Sequence, residues 1–179
     1  YRFAGPASVL DVFEKLGRGE IYYVTLVIPE GANIFEIAGL VAASDLRNAS
    51  DFLDLAKDPS LIRDLDPEAP SLEGYLFPST YQFRRKASST EICTRLTGEF
   101  RTQWQALGAP ADVHRLVTLA SLVEKETSIA DERPVVASVY WNRIHEGMRL
   151  DCDPTVIYAA LLEGKYRGTI YLSDLQRDQ

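Results

Sequence analysis

An apolar helical run that contains two glutamates constrains this chain most, because carboxylates are costly to place on apolar helix faces. The run covers residues 113–127 of the 179-residue sequence and includes Glu124 and Glu126. Removing a carboxylate from water is unfavourable unless the group is paired or protonated. An amphipathic segment follows, then a turn, and then an Asp-Pro-Thr helix start at Asp153. These residues therefore predict a cluster of helices around a face that carries acidic groups.

The helical period predicts different environments for the two glutamates. At about 100° per residue, Glu124 falls inside an apolar arc centred on Ala120, whereas Glu126 falls beyond the edge of that arc. In a structural interpretation, each glutamate pairs with an arginine such as Arg133 or Arg143. In a functional interpretation, an apolar wall allows a carboxyl group to hold a proton near neutrality. The period alone favours the structural interpretation, and it makes Glu124 the more unusual of the two.

The first 45 residues predict a small α/β unit. Residues 21–28 (IYYVTLVI) are rich in β-branched and aromatic side chains, which is typical of a strand. Ser8 and Asn33 are predicted N-caps of helices on either side of this strand. A further short strand is predicted at residues 1–3.

The rest of the chain predicts mainly helices, so the fold class is α+β. Residues 44–65 predict two or three short helices, and a long helix is predicted to end near Gly108. Capping residues and prolines predict where the later helices begin: Ser88 or Ser89, Pro110, Ser128 or Asp131, and Asp153.

An aromatic segment at residues 72–83 (LEGYLFPSTYQF) predicts an extended or turning conformation. One interpretation is a loop that lines the core. The other is the wall of a sugar-binding groove, because tyrosine rings pack against sugars while their hydroxyls form hydrogen bonds.

Composition excludes several classes of partner. The net charge of −7 argues against nucleic acid or an anionic membrane surface as the main partner. Cys93 and Cys152 match no metal-binding spacing, and with only two histidines a zinc site is not expected. We expect buried thiols, although a single disulfide stays open. No apolar run is long enough to span a membrane.

A series of ordered motifs strongly resembles the endolytic murein transglycosylase (YceG-like) family. The motifs are EKET at 124–127, DER at 131–133, VASV at 136–139, Asn142-Arg143, GMRL at 147–150 and DPTVIY at 153–158. The segments IPEG at 28–31 and EGYLFPSTY at 73–81 also look like the family.

The resemblance implies a lyase that cuts the MurNAc-β-1,4-GlcNAc bond of nascent peptidoglycan strands, leaves 1,6-anhydro ends and so terminates strand elongation. It places the catalytic acid at Glu126, which corrects the preference for Glu124 from the helical period. It requires no metal and no cofactor. Weaker candidates for sugar contact, for most of which packing or capping is an equal alternative, are Glu124, Tyr75, Tyr81, Asn142, Asp153, Thr155 and Tyr158.

The resemblance also implies a domain organisation and a location. Residues 1–45 would be a LysM-like unit and residues 46–179 a YceG-like catalytic domain, both truncated relative to the family. The parent protein would be anchored in the bacterial inner membrane by a segment absent here, with its catalytic domain outside the cytoplasm. Partners would be glycan strands and, in addition, cell-wall synthesis proteins. Two alternatives stay open: a hydrolytic muramidase and a non-catalytic peptidoglycan-binding scaffold.

Overall fold

The structure is a computed structural model that describes residue 3 and residues 5–46, 51–108 and 111–171. The chain divides into two units: unit 1 comprises Tyr1–Ala111 and unit 2 comprises Asp112–Gln179. Helices dominate the described residues, and one two-stranded antiparallel sheet accompanies them. The predicted α+β class is confirmed.

The sheet of unit 1 forms because both of its strands alternate between buried and exposed side chains. Strand β1 (Tyr23–Val27) pairs antiparallel with β2 (Thr80–Arg84). The register sets Val24 opposite Phe83 and Leu26 opposite Tyr81, and these side chains are buried on one face. The strand predicted at residues 21–28 is confirmed in shorter form.

Local capping signals define the helices of unit 1. Ser8 and Asn33 each form the predicted N-cap with a complete capping box, and Ser88 caps the long helix through the backbone N–H of Glu91. The helices are α1 (Val9–Gly17), α2 (Ile34–Ala43), α3 (Phe52–Ala56) and α4 (Ser89–Ala106), with a 3₁₀ turn at Pro59–Leu61.

The core of unit 1 is built on the buried stripe of α4. Ile92, Leu96, Phe100 and Trp104 recur every fourth residue along that helix, so they share one face. Helix α3 packs against both α4 and α2, and α2 also contacts β1. The side chain of Phe52 on α3 is completely buried among them.

Helix α1 has the predicted start, but its apolar residues are not part of a core in the described structure. Val9 is 85% exposed and Phe13 is 74% exposed. Residues 1–45 were also expected to form a self-contained α/β unit. Strand β1 of this segment, however, pairs with β2, which lies outside residues 1–45. The assignment of residues 1–45 as LysM-like stays a prediction. Tyr1 and Arg2 of the predicted first strand lie outside the described residues, as do residues 47–50.

The described part of unit 2 contains three α-helices with a small shared core. They are α5 (Val113–Glu126), α6 (Arg133–His145) and α7 (Asp153–Leu162), with a 3₁₀ turn at Ala130–Glu132. Helices α6 and α7 both pack against α5. Their core comprises Leu122, Val123, Tyr140 and Cys152, flanked by Leu119, Val136, Ala137 and Leu150. None of the described helices in either unit is long and apolar enough to cross a membrane.

Two predicted caps in unit 2 are wrong. Neither Ser128 nor Asp131 caps α6, since the 3₁₀ turn intervenes and Glu132 is the N-cap residue without a side-chain bond. Pro134 in the first turn lacks an N–H, so one fewer donor needs a cap there. Helix α7 starts one residue earlier than predicted, with Cys152 at its N-cap.

Asp153 is therefore a first-turn residue of α7 and not its cap. A carboxylate in the first turn still interacts favourably with the helix dipole. At the start of α5, Asp112 caps through the backbone N–H of Arg115. Pro110, the predicted start of that helix, lies outside the described residues.

We expect unit 1 to lose stability as pH rises above about 9. Burial keeps one thiol and two phenols neutral in the folded state at pH values at which they ionise in the unfolded chain. Burial raises the pKa of the Cys93 thiol to about 12 and that of Tyr81 to about 12. Burial also raises the pKa of Tyr75, and its hydrogen bond with Asp66 raises it further. In the unfolded chain these groups ionise near their ordinary values of about 8.5 for Cys and about 10 for Tyr.

These raised pKa values determine how the stability of unit 1 changes with pH. Below about pH 8 both states are neutral and stability is unaffected, whereas between about pH 9 and 12 ionisation favours the unfolded state. Urea unfolding from pH 7 to 11 measures this loss. A Cys93→Ala variant should show a shallower decline between about pH 8 and 10. A free energy of unfolding that stays constant up to pH 11 would contradict the expectation.

Candidate active site

Glu126 is the last residue of α5, and its side chain is exposed. Leu122 and Val123 in the preceding turn are buried, so they anchor the end of the helix that carries the carboxyl group. Thr127 ends the helix, and its hydroxyl donates to Glu132 Oε2 at 2.9 Å and accepts from the Ile129 backbone N–H at 3.1 Å. The chain is therefore held directly after Glu126.

A buried tyrosine contacts the Glu126 carboxylate. The Tyr140 hydroxyl donates to Glu126 Oε2 at 3.0 Å, while the Tyr140 residue is only 5% exposed. Among the described residues, no lysine or arginine forms an ion pair with Glu126. The carboxyl group thus combines access to solvent with one fixed hydrogen bond.

Burial raises the pKa of the Tyr140 phenol above its ordinary value, and hydrogen bonds with Cys152 and Glu126 raise it further. The phenol therefore keeps its proton throughout the neutral range. In this range it remains a hydrogen-bond donor to Glu126.

Glu124 has a different environment. Its carboxylate forms an ion pair with Arg133 at 3.2 Å, and the two side chains are 31% and 38% exposed. The predicted difference in exposure between the two glutamates is confirmed, since Glu124 is partly buried and Glu126 is exposed. The ion pair supports the structural interpretation for Glu124, because it joins α5 to the start of α6.

Arg143, the other predicted partner of a glutamate, binds the backbone instead. Its guanidinium donates to the carbonyl oxygen of Leu150. This contact holds the turn between α6 and α7, in which Gly147 and Asp151 both have positive φ angles. Cys152 follows this turn and lies in the same core cluster as Tyr140.

The other candidates in unit 2 lie on α6 and α7. Asn142 is exposed and lies about 200° around α6 from Tyr140. Asp153 is exposed, and the Thr155 hydroxyl donates to the Cys152 carbonyl at 2.7 Å, which is a local helix-start contact. Tyr158 is partly buried and has an interaction of its own. Contact of these residues with a sugar stays a prediction.

Tyr75 and Tyr81 belong to unit 1, and both are buried. Tyr75 is 3% exposed; its hydroxyl donates to Asp66 and its ring packs edge-on against Phe100. Tyr81 is 5% exposed and donates to the Phe77 carbonyl at 2.7 Å. Because the rings and hydroxyls are already engaged, the structure favours the core-lining interpretation of the aromatic segment.

Both cysteines are buried free thiols, as expected, with Cys93 in unit 1 and Cys152 in unit 2. Within the described ranges, no group of three or more His, Cys, Asp and Glu side chains is arranged to hold a metal ion.

Tyr140 is the one residue of this site that the sequence pattern did not identify. The sequence did contain an indication that this residue has a polar partner. A tyrosine at a buried helix position needs a partner for its hydroxyl, and a phenylalanine would fill the same space without that need.

These features define a class: an α+β protein whose candidate site is one exposed carboxyl group at a helix end, held by a buried tyrosine. The model of the YceG-like family matches residues 1–179, and the chain belongs to this family. The family resemblance of the sequence motifs is thereby confirmed.

Individual relatives of the chain extend this result. The chain is 30% identical over 188 residues to a Bacillus subtilis protein named endolytic murein transglycosylase, and the match covers 93% of this chain and 51% of that protein. A Streptococcus pneumoniae protein of the same name is 28% identical, with 97% and 37% covered. A crystal structure of a yceG-like protein from Listeria monocytogenes matches with a TM-score of 0.69 at 28% identity, over 99% of this chain and 65% of that one. The chain thus spans about half the length, or less, of the named relatives.

Proposed function

We propose that the protein, at the full length of its relatives, is an endolytic lytic transglycosylase of peptidoglycan, with Glu126 as its single acid and base. The substrate is the β-1,4 bond between N-acetylmuramic acid and N-acetylglucosamine inside a glycan strand. Cutting nascent strands in this way would terminate their elongation. The names of the relatives support this class of activity.

One observation carries the assignment to Glu126. Its carboxyl group is exposed at the end of α5 and is held by Tyr140, whereas the neighbouring Glu124 is engaged by Arg133. A general acid must reach the atom that it protonates. Of the two glutamates in the EKET motif, Glu126 meets that requirement.

In the proposed reaction Glu126 acts twice, first as an acid and then as a base. The Glu126 carboxyl group gives its proton to the glycosidic oxygen as the bond from that oxygen to C1 of the muramic residue breaks, through an oxocarbenium-like state. The resulting carboxylate then accepts the proton of the muramic C6 hydroxyl while O6 bonds to C1. The product is a 1,6-anhydro end, no water is consumed, and Glu126 returns to its starting form.

Product masses test the proposal. Purified parent-length protein is incubated with uncrosslinked glycan strands, and the released fragments are analysed by mass spectrometry. We expect ends that are lighter by one water than reducing ends. Fragments with reducing ends would indicate a hydrolytic muramidase, and binding without any cleavage would indicate a scaffold module; either result would contradict the proposal.

The location follows from the substrate. Nascent glycan strands lie outside the cytoplasm, so we propose that the parent protein is held at the inner membrane by a further segment and acts on the outer side. A C-terminal fusion of the parent protein to alkaline phosphatase, which is active only outside the cytoplasm, should be active in cells. An inactive fusion that is present at a normal level would contradict this placement.

A further inference from the structure

We propose that Tyr140 is a positioning residue, which holds Glu126 Oε2 as a hydrogen-bond acceptor and so directs the transferable proton to Glu126 Oε1. This inference rests on the proposed function of Glu126 as an acid and base. It adds a role for a residue that touches neither the substrate nor the reacting atoms.

The position of the Tyr140 hydroxyl is determined by packing. The residue is 5% exposed and belongs to the core of unit 2, together with Leu122, Val123 and Cys152. Leu122 and Val123 lie on α5 in the turn before Glu126, so the ring packs against the same helix that carries the carboxyl group. Because a closely packed ring does not change rotamer freely, its hydroxyl keeps a fixed position beside the end of α5.

Glu126 by contrast is a flexible, exposed side chain at a helix end. Its bond from Tyr140 to Oε2 measures 3.0 Å, and among the described residues Oε1 has no hydrogen-bond partner. The bond consequently restricts the carboxyl group and engages Oε2, so that Oε1 is the oxygen left for a sugar oxygen to contact.

The direction of the hydrogen bond decides which oxygen carries the acid proton. A protonated carboxyl group has one hydroxyl oxygen and one carbonyl oxygen, and the carbonyl oxygen is the better acceptor. Because the buried phenol keeps its proton, it donates to Oε2, and the acid proton then resides on Oε1. After proton transfer, the same bond stabilises the negative charge on the carboxylate, since hydrogen bonds to charged groups are stronger than neutral ones.

The test is a Tyr140→Phe variant of the parent-length protein, which keeps the ring and removes the hydroxyl. We expect kcat to fall about tenfold to a hundredfold, as for the loss of one hydrogen bond to a charged group, with KM changed by less than about twofold, since substrate contacts are unaltered. The matched control is Val136→Ala on the same helix, which loosens the same core without touching Glu126. It should lower the thermal midpoint at least as much and leave kcat within about twofold of wild type.

A second measurement does not depend on activity. The thermal midpoints of wild type, Tyr140→Phe, Glu126→Ala and the double variant form a cycle. We expect Tyr140→Phe to lower the midpoint in the wild-type background and to have little effect in the Glu126→Ala background, because the bond is already absent there.

The outcomes separate this inference from the proposed function. If wild type cleaves glycan but Tyr140→Phe keeps its kcat, or if Val136→Ala loses as much, the positioning role is overturned. If wild type cleaves nothing, the proposed function fails, and the cycle alone decides whether Tyr140 holds Glu126. Equal midpoint losses in both backgrounds would then overturn the inference as well.

Discussion

Replacing Glu126 by glutamine is expected to lower glycan cleavage by the parent-length protein about 100-fold to 10,000-fold, because the proposed acid and base are the same group and this is the usual contribution of general acid–base catalysis. Glutamine has the same shape, and its amide oxygen still accepts the Tyr140 hydrogen bond, so the local structure should be retained. It has no proton of suitable acidity to give to a glycosidic oxygen. Release of anhydro-ended fragments from purified peptidoglycan, quantified by mass spectrometry, measures the loss.

The matched control is Glu146→Gln, which makes the same chemical change at an exposed position after α6 in the same unit. This variant should cleave glycan at the wild-type rate. Both variants should unfold at the wild-type temperature, which separates loss of chemistry from loss of structure. A Glu126→Gln variant that retains more than about a tenth of wild-type activity would be incompatible with a general-acid role of this size.

Replacing Phe52 by alanine is expected to destabilise unit 1 by about 3–5 kcal/mol, the range for removing a buried aromatic ring. Phe52 is 0% exposed, and α3, which carries it, packs against both α2 and α4. A loss of this size is a large part of the total stability of an ordinary domain, which is about 5–15 kcal/mol. The cavity lies between elements that are held from several sides, so the surrounding structure can collapse only partly.

The measurement uses urea unfolding followed by the fluorescence of Trp104, which is buried on α4. A Trp141→Phe background leaves Trp104 as the only tryptophan of the two in the sequence, so the signal reports unit 1. Phe13→Ala is the matched control, because Phe13 is 74% exposed and its loss should change the free energy of unfolding by less than about 0.5 kcal/mol. Similar losses for both variants would mean that α1 is packed in solution and that the core assignment is wrong.

Much of the local structure could be predicted from the sequence, because it depends on neighbours along the chain. Ser8 with Asp11 and Asn33 with Glu36 satisfy helix N–H groups only a few residues away, and both capping boxes form. The order of exposure of Glu124 and Glu126 likewise follows from the helical period alone.

The prediction was less reliable where competing local signals exist. Ser128, Asp131 and Asp153 are all suitable cap residues, yet none of them is the cap. Each lies close to a proline or an unusual turn, such as the positive φ of Asp151, which moves the helix start by a residue or more. Capping preferences are weak compared with such backbone constraints.

By itself, the sequence determined the α+β class, the starts of α1, α2 and α4, the family and the assignment of Glu126 as the candidate acid. Only the tertiary structure decided that β1 pairs with β2, that Tyr75 and Tyr81 lie in a core, and that Tyr140 holds the carboxyl group of Glu126. The physical reason is the range of the interactions. Capping and periodicity act within a turn of the chain, whereas strand pairing and the burial of a tyrosine depend on which distant segments exclude water together.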